Sequence, residues 1–234
     1  LTPESLDIQK KIAQTEESIE RAYPHINEVV GHTSAPIIGN TETPSAIDVF
    51  FTDTLREHAK TDIAFNIGQF IGPMIPAGEI RQRDLYYLYP RMFDFEDKMG
   101  WNIYTAKIPG HWIKFVLRIA QNTNNAFIVS GMKFDKIKKN KKTKLSNFTI
   151  NGKKIIPTKK YTIALPEGFL RAADEITKLT HIVFRKINNS HESIWQANID
   201  RLKQNPDYFV QAKKSYFIAP TDLVEEGKAS QINL

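Results

Sequence analysis

Short apolar runs of strand length recur through the middle of this chain, each bounded by glycine, proline or asparagine and separated by segments with helical spacing. Glu28–Gly31, Ile63-Ala64-Phe65, Asn102–Lys107, Phe127–Phe134, Phe148–Ile150, Ile155-Ile156 and Tyr161–Leu165 read as strands. The helical segments are Pro3–Ala22, Ala46–Ala59, Asp84–Tyr89 and His111–Gln121. A chain with this order has to cover sheet faces with helices, which predicts a mixed α and β domain.

The helix starts carry their own signals. Thr2 caps and Pro3 suits the first turn of the leading helix, whose partial stripe of Leu6, Ile8, Ile12 and Ile19 predicts packing on one side only. Ser45 caps the second, where Ile47, Phe50, Phe51 and Leu55 form an aromatic-rich core face. After Pro109-Gly110, the His111–Gln121 helix presents Trp112, Phe115, Val116 and Ile119 on its apolar side. Ile194–Leu202 has helical spacing, Pro206 interrupts it, Tyr208–Ile218 is apolar enough to pack on the domain, and Glu225–Leu234 reads as a frayed end.

Several chemistries are missing from the sequence. There is no cysteine, hence no disulfide framework and no thiolate nucleophile. The six histidines are not spaced as metal-ligand pairs, and neither a phosphate-cradling Gly-rich loop nor a G-x-S-x-G elbow is present. Asp94, Glu96 and Asp97 read as hydrated loop carboxylates, and Asp174-Glu175 as a helix cap. No segment approaches the roughly 20 apolar residues that cross a bilayer. The chain starts at Leu1 with no signal-like run, so it reads as a fragment or a processed product. The net charge is +6, and seven lysines stand between Lys133 and Lys144 with Asp135 as the one acid among them. They read as a solvated hairpin tip, with a protein- or polyanion-binding module as the alternative; without interleaved aromatics, nucleic acid is not the expected partner.

The order of anchors resembles the C-terminal domain of the 5′-nucleotidase family, which includes UDP-sugar hydrolases. That family carries D-x-A-h-x-N-G-G-G-I-R, then a-G-x-I-t-x-x-D-L and P-F. This chain has Asp62, Ala64, Gly68 and Ile71, then Ala77-Gly78, Ile80, Asp84-Leu85 and Pro90. Pro109-Gly110 stands where the family has T-G, and Val129-Ser130-Gly131 matches its V-S-G strand. Asn151-Gly152-Lys153 and Pro157 to Ala164 match its N-G-k and Y-t-v-A hairpin.

The resemblance implies an α+β fold with four α/β/β/α layers and mixed sheets. Residues 1–28 would be a linker-type helix, 29–190 the domain and 191–234 a packed extension. It also implies a preceding metallophosphatase domain that holds the divalent metals and cleaves the ester, with no cofactor or metal in this chain. A periplasmic or extracellular location and a nucleotide or related small molecule as ligand follow from the same resemblance.

The contact residues depart from the family pattern. Its loop Asn falls on Ile67, its second and third glycines on Gln69 and Phe70, and its loop Arg on Gly72. Its first stacking Phe falls on Arg91, with Phe93 nearby; its second falls on Gly168, with Phe169 one residue away. Its G-G-D-G becomes Ala172-Ala173-Asp174-Glu175. The expected substrate-binding set is Phe169, Arg91 and Phe93 as base clamps, Gly68 in the loop and Asp174 as a polar anchor. Losing an arginine fork costs charge-assisted hydrogen bonds of about 1.5–3 kcal/mol each, and a lost base stack about 1–3 kcal/mol. The pattern therefore predicts weakened or altered nucleotide recognition.

Overall fold

The computed structural model describes residues 2–39, 45–68, 71–72, 74–88, 100–120, 127–139, 142–176 and 186–211. In chain order its elements are α1 (Pro3–Ala22), β1 (Val29–Thr33), β2 (Ile37–Ile38), α2 (Ala46–His58), β3 (Ile63–Ile67), β4 (Met74–Ile75), β5 (Gly78–Arg81) and α3 (Gln82–Leu88). There follow β6 (Asn102–Pro109), α4 (Gly110–Ala120), β7 (Phe127–Ser130), β8 (Met132–Lys139), β9 (Lys142–Ile150) and β10 (Lys153–Lys154). The last are β11 (Lys160–Pro166), α5 (Glu167–Ile176), β12 (Ile187–Ser193), α6 (Ile194–Gln204) and α7 (Tyr208–Gln211).

The caps act as the sequence indicates. The Thr2 hydroxyl accepts the Ser5 backbone N–H at 3.3 Å, and α2 opens with a capping box in which the Asp48 carboxylate accepts the Ser45 N–H at 2.7 Å. Burial pushes the Asp48 carboxyl above its usual range against the pull of those hydrogen bonds. The two helices then diverge. α2 buries Ile47, Phe50, Phe51 and Leu55, whereas α1 buries none of its residues and leaves Leu6, Ile8, Ile12 and Ile19 exposed. The expected one-sided packing of α1 is therefore not found: capping and propensity form a helix, but only a facing surface can bury it.

The main sheet has the order β12-β6-β11-β3-β7, with β11 and β3 parallel and the other pairs antiparallel, so it is mixed. Alternation along its strands feeds two cores, one on each face. Ala64, Ile103 and Ala164 face a cluster built with α2, α3 and α6, which includes Phe50, Leu85, Ile199 and Leu202. Ile63, Phe65, Ala106, Ile108, Ile163 and Leu165 face the other, which α4 fills with Ile113 and Leu117. The chain's last described turns close the first cluster, where the Tyr208 and Phe209 rings each lie 5.0 Å from the Phe50 ring.

A separate antiparallel sheet, β10-β9-β8, covers the second cluster with Met132, Leu145, Phe148 and Ile150. Two expectations change here. The strand read over Phe127–Phe134 breaks at Gly131, whose φ is +77° and whose Cβ, if it had one, would lie 2.3 Å from the Asp62 carbonyl oxygen. Only glycine lets the chain pass there from one sheet to the other. The lysines read as a hairpin tip stand largely in the paired strands β8 and β9, and Lys153–Lys154, not Ile155-Ile156, form β10.

Candidate ligand site at the carboxyl ends of two parallel strands

The parallel pair places Ile63 beside Ile163 and Ala64 beside Ala164, so β3 and β11 leave the sheet at the same end. The Gly68 loop follows one and α5 follows the other. Because β6 runs antiparallel to β11, with Ile103 opposite Pro166, Trp101 and Asn102 arrive at that end too. In open α/β sheets, this is the end where loops converge on ligands.

The loop after β3 is drawn inward. The Ile71 N–H donates to the Gly68 carbonyl at 3.0 Å, and the Gly72 N–H donates to the Leu88 carbonyl at the end of α3. A Cβ at Gly72 would stand 3.0 Å from Leu88 Cα and 3.2 Å from Leu88 O. An arginine at this position would require the loop to stand off from α3, and glycine permits the closure. Beneath the loop, Asn66 is fully buried and its Oδ1 accepts the Ile67 N–H at 2.8 Å.

On the facing side, Glu167 sits at the positive end of α5. Its Oε2 accepts the Asn102 backbone N–H at 3.0 Å, and its Oε1 accepts Nε and Nη2 of Arg171 at 3.0 and 2.6 Å. Carboxylate and guanidinium thus bind each other at the mouth of this end.

Gly168 is the tightest point. A Cβ there would lie 1.9 Å from Cη2 and 2.0 Å from Cζ3 of Trp101, so the indole occupies the volume that any side chain at 168 would need. Trp101 is only 9% exposed and packs in the first cluster. Aromatic carbon from the start of β6 therefore stands where the resemblance puts the second stacking Phe. Phe169 is 8% exposed and packs in the second cluster.

Of the residues expected at a site, the fold brings Gly68 and Phe169 to this one end. Asp174 lies inside α5, two turns beyond Glu167, and not ahead of a helix as a cap; its side chain is outside the described residues. Arg91, Phe93 and the Asp94, Glu96, Asp97 cluster are also outside them. Trp101 was not anticipated from the sequence. Its signal is a paired change, a glycine at the aligned Phe position and a tryptophan entering just before a strand that ends nearby.

The histidines are dispersed: His32 Nε2 meets Asp207 at 2.8 Å, His58 Nε2 meets Glu192 at 2.5 Å, and His111 Nδ1 lies 3.0 Å from the Pro157 carbonyl. Among the described residues, no group of three or more His, Asp or Glu side chains is placed to hold a metal ion.

Comparison with solved structures gives the same architecture. The 5′-nucleotidase precursor from Thermus thermophilus superposes with a TM-score of 0.63 at 16% identity, over 85% of this chain and 40% of that one. The NAD nucleotidase of Haemophilus influenzae gives 0.62 at 16% identity, over 86% and 39%. A putative 5′-nucleotidase from Staphylococcus aureus, solved in complex with alpha-ketoglutarate, gives 0.60 at 13% identity, over 88% and 42%. At such identities the likeness shows the fold, and the chain spans about two fifths of the length of these proteins. No curated protein matches. The 5′-nucleotidase C-terminal domain family matches residues 29–181, well over half of the sequence, and this chain belongs to that family.

Proposed function

We propose that this chain is the substrate-facing half of a 5′-nucleotidase-type phosphoester hydrolase in which the nucleotide-contact chemistry has been replaced. The observation that carries the reading is Trp101 filling the side-chain volume at Gly168. The closed loop at Gly72 and the Glu167–Arg171 pair support it, since the loop N–H bonds to α3 and the guanidinium at this end is bonded to a carboxylate. In this reading, hydrolysis belongs to an N-terminal metallophosphatase domain that holds the divalent metals, and the assembled protein works in the periplasm or outside the cell. Phe169, Gly68, Arg91, Phe93 and Asp174 remain the candidate ligand contacts.

Isothermal titration of the chain with AMP, UMP, UDP-glucose and adenosine tests the replacement. No binding in the micromolar range is the expected result. Ordinary micromolar binding of AMP would show that nucleotide recognition survives and would overturn it.

A further inference from the structure

The charge of this protein is concentrated in one place. Between Lys133 and Lys160 there are eleven lysines, one acidic residue and no arginine, a net +10 in a chain whose total is +6, so all the rest carries −4. The acid, Asp135, accepts a hydrogen bond from the Asn147 side-chain amide.

Register shows how the fold displays this charge. Lys133 and Lys154 both stand opposite Thr149, so the two form a row across β8, β9 and β10 on the face that points away from Met132, Leu145, Phe148 and Ile150. Lys133, Lys144 and Lys154 are exposed, as are Lys153, Lys159 and Lys160 beside them. At the far end of the hairpin Lys139 is paired directly with Lys142. Like charges opposite each other in a ladder are destabilising. The row of Lys133 and Lys154 across Thr149 sets like charges near each other in this way, and an anionic surface would relieve their repulsion.

Apolar groups stand next to the lysines. Ile156 is 54% exposed on the loop between β10 and β11. That loop is tied to the start of α4, because the N–H groups of Gly110 and His111 donate to the carbonyls of Lys159 and Pro157, each at 3.0 Å. One turn along from His111, Phe115 is 38% exposed, with its ring 5.3 Å from that of Trp112. Lys114 Nζ lies 5.7 Å from the Phe148 ring centroid, which joins this side of α4 to the lysine sheet.

We infer that the outer face of β8–β10, with the Ile156 loop and the exposed side of α4, docks on a lipid bilayer that contains anionic headgroups. Lysines without arginine supply point charge and no bidentate fork for reading phosphates or bases. The aromatics of the sheet, Phe134 and Phe148, pack with the second cluster and offer no stacking platform to a single strand. A bilayer surface, unlike a duplex, rewards both features present, a field of lysines and a few apolar side chains at headgroup depth. Binding would be peripheral, since no described helix is long and apolar enough to cross a membrane. Lys159, Lys160 and the Ile156 loop lie at the amino end of β11, away from the candidate ligand site, and the inference does not depend on what that site binds.

Co-sedimentation of the chain with phosphatidylcholine vesicles, with and without phosphatidylglycerol, tests this. Binding is expected only to the anionic vesicles and is expected to fall as salt rises. Each Lys→Gln change at 133, 144, 154 or 160 should weaken partitioning about fivefold, the increment for one lysine at an anionic leaflet. The quadruple variant should sediment like the protein without vesicles, while its circular dichroism melt does not fall below the wild-type temperature. Ile156→Ser should remove the binding that persists in high salt. Equal partitioning into pure phosphatidylcholine, or a quadruple variant that still binds, would overturn the inference. So would retention on heparin or duplex DNA without any vesicle binding, which would mark the surface as a site for a soluble polyanion.

Discussion

The two ends of the β3–β11 pair have opposite characters. At the amino end the Asp62 carboxylate accepts the Thr162 N–H at 2.8 Å and its hydroxyl at 2.9 Å, and that hydroxyl accepts the Asp62 N–H at 2.9 Å. Beside it, Arg56 Nε donates to the Ser130 hydroxyl at 2.7 Å, Ser130 donates to Asp53, and Gly131 passes against Asp62. Gly110 is pinned there too, with Ile155 Cγ2 and Ile156 O each 2.5 Å from where its Cβ would be. At the carboxyl end stand Gly72, Gly168 and Trp101, beside Gly68 and Ile71, which match the family pattern. The motifs that make the chain resemble its family are those that fasten one part of the backbone to another. In the reading proposed above, the positions that differ from the family pattern lie at the end where a ligand would sit.

This contrast makes the carboxyl end a packed core and predicts that it behaves as one. Trp101→Ala should cost about 3–5 kcal/mol in urea unfolding, the range for deleting a large buried aromatic. A loss below about 1 kcal/mol would mean that the indole lines an open cleft and does not fill a core. At the amino end, Asp62→Ala removes the partner of both Thr162 donors and should cost about 1.5–3 kcal/mol, the range for hydrogen bonds to a charged group. If Asp62→Ala proved neutral, the retained aspartate would have to be explained by something other than this clasp.

The sequence exposed the amino end far better than the carboxyl end, for a physical reason. Asp62, Ser130-Gly131 and Tyr161-Thr162 meet needs that few residue types satisfy: a glycine with positive φ, and short polar side chains that bond across the sheet, with Asp62 and Thr162 100 residues apart. Such needs restrict residue type at a given position. Trp101 acts through volume at a position 67 residues away in the chain, and nothing near Gly168 announces it. The helices show the same division. Thr2 and Ser45 cap α1 and α2 alike, yet only α2 finds a sheet to cover, and that depends on the whole fold. The lysine run was legible as charge but not as strand, because the pairing that holds it comes from Leu145, Phe148 and Ile150 on the opposite face.

The effect of Gly168→Ala should change sign with the residue at 101. In a helix, alanine is favoured over glycine by about 0.5–1 kcal/mol, whereas a Cβ 1.9 Å from the Trp101 ring must displace it. Overpacking of that kind costs about 1–3 kcal/mol, so the single variant should be less stable than wild type. In the Trp101→Ala background the obstruction is gone, and the same change should stabilise by up to about 1 kcal/mol. A double-mutant cycle by urea unfolding reads this reversal directly; additive effects would mean that the two residues do not compete for one volume.

The smallest effect is expected on the outer sheet. Lys154→Gln removes an exposed charge for which no hydrogen bond or ion pair is found among the described residues, and its unfolding free energy should stay within about 0.5 kcal/mol of wild type. A small gain is the expected direction, since Lys154 shares its row with Lys133 across Thr149 and like charges repel. The gain should shrink as salt is added and the repulsion is screened. A loss greater than about 1 kcal/mol would show that Lys154 stabilises the fold, and the amino end would then owe its strength to surface charge as well as to the Asp62–Thr162 clasp.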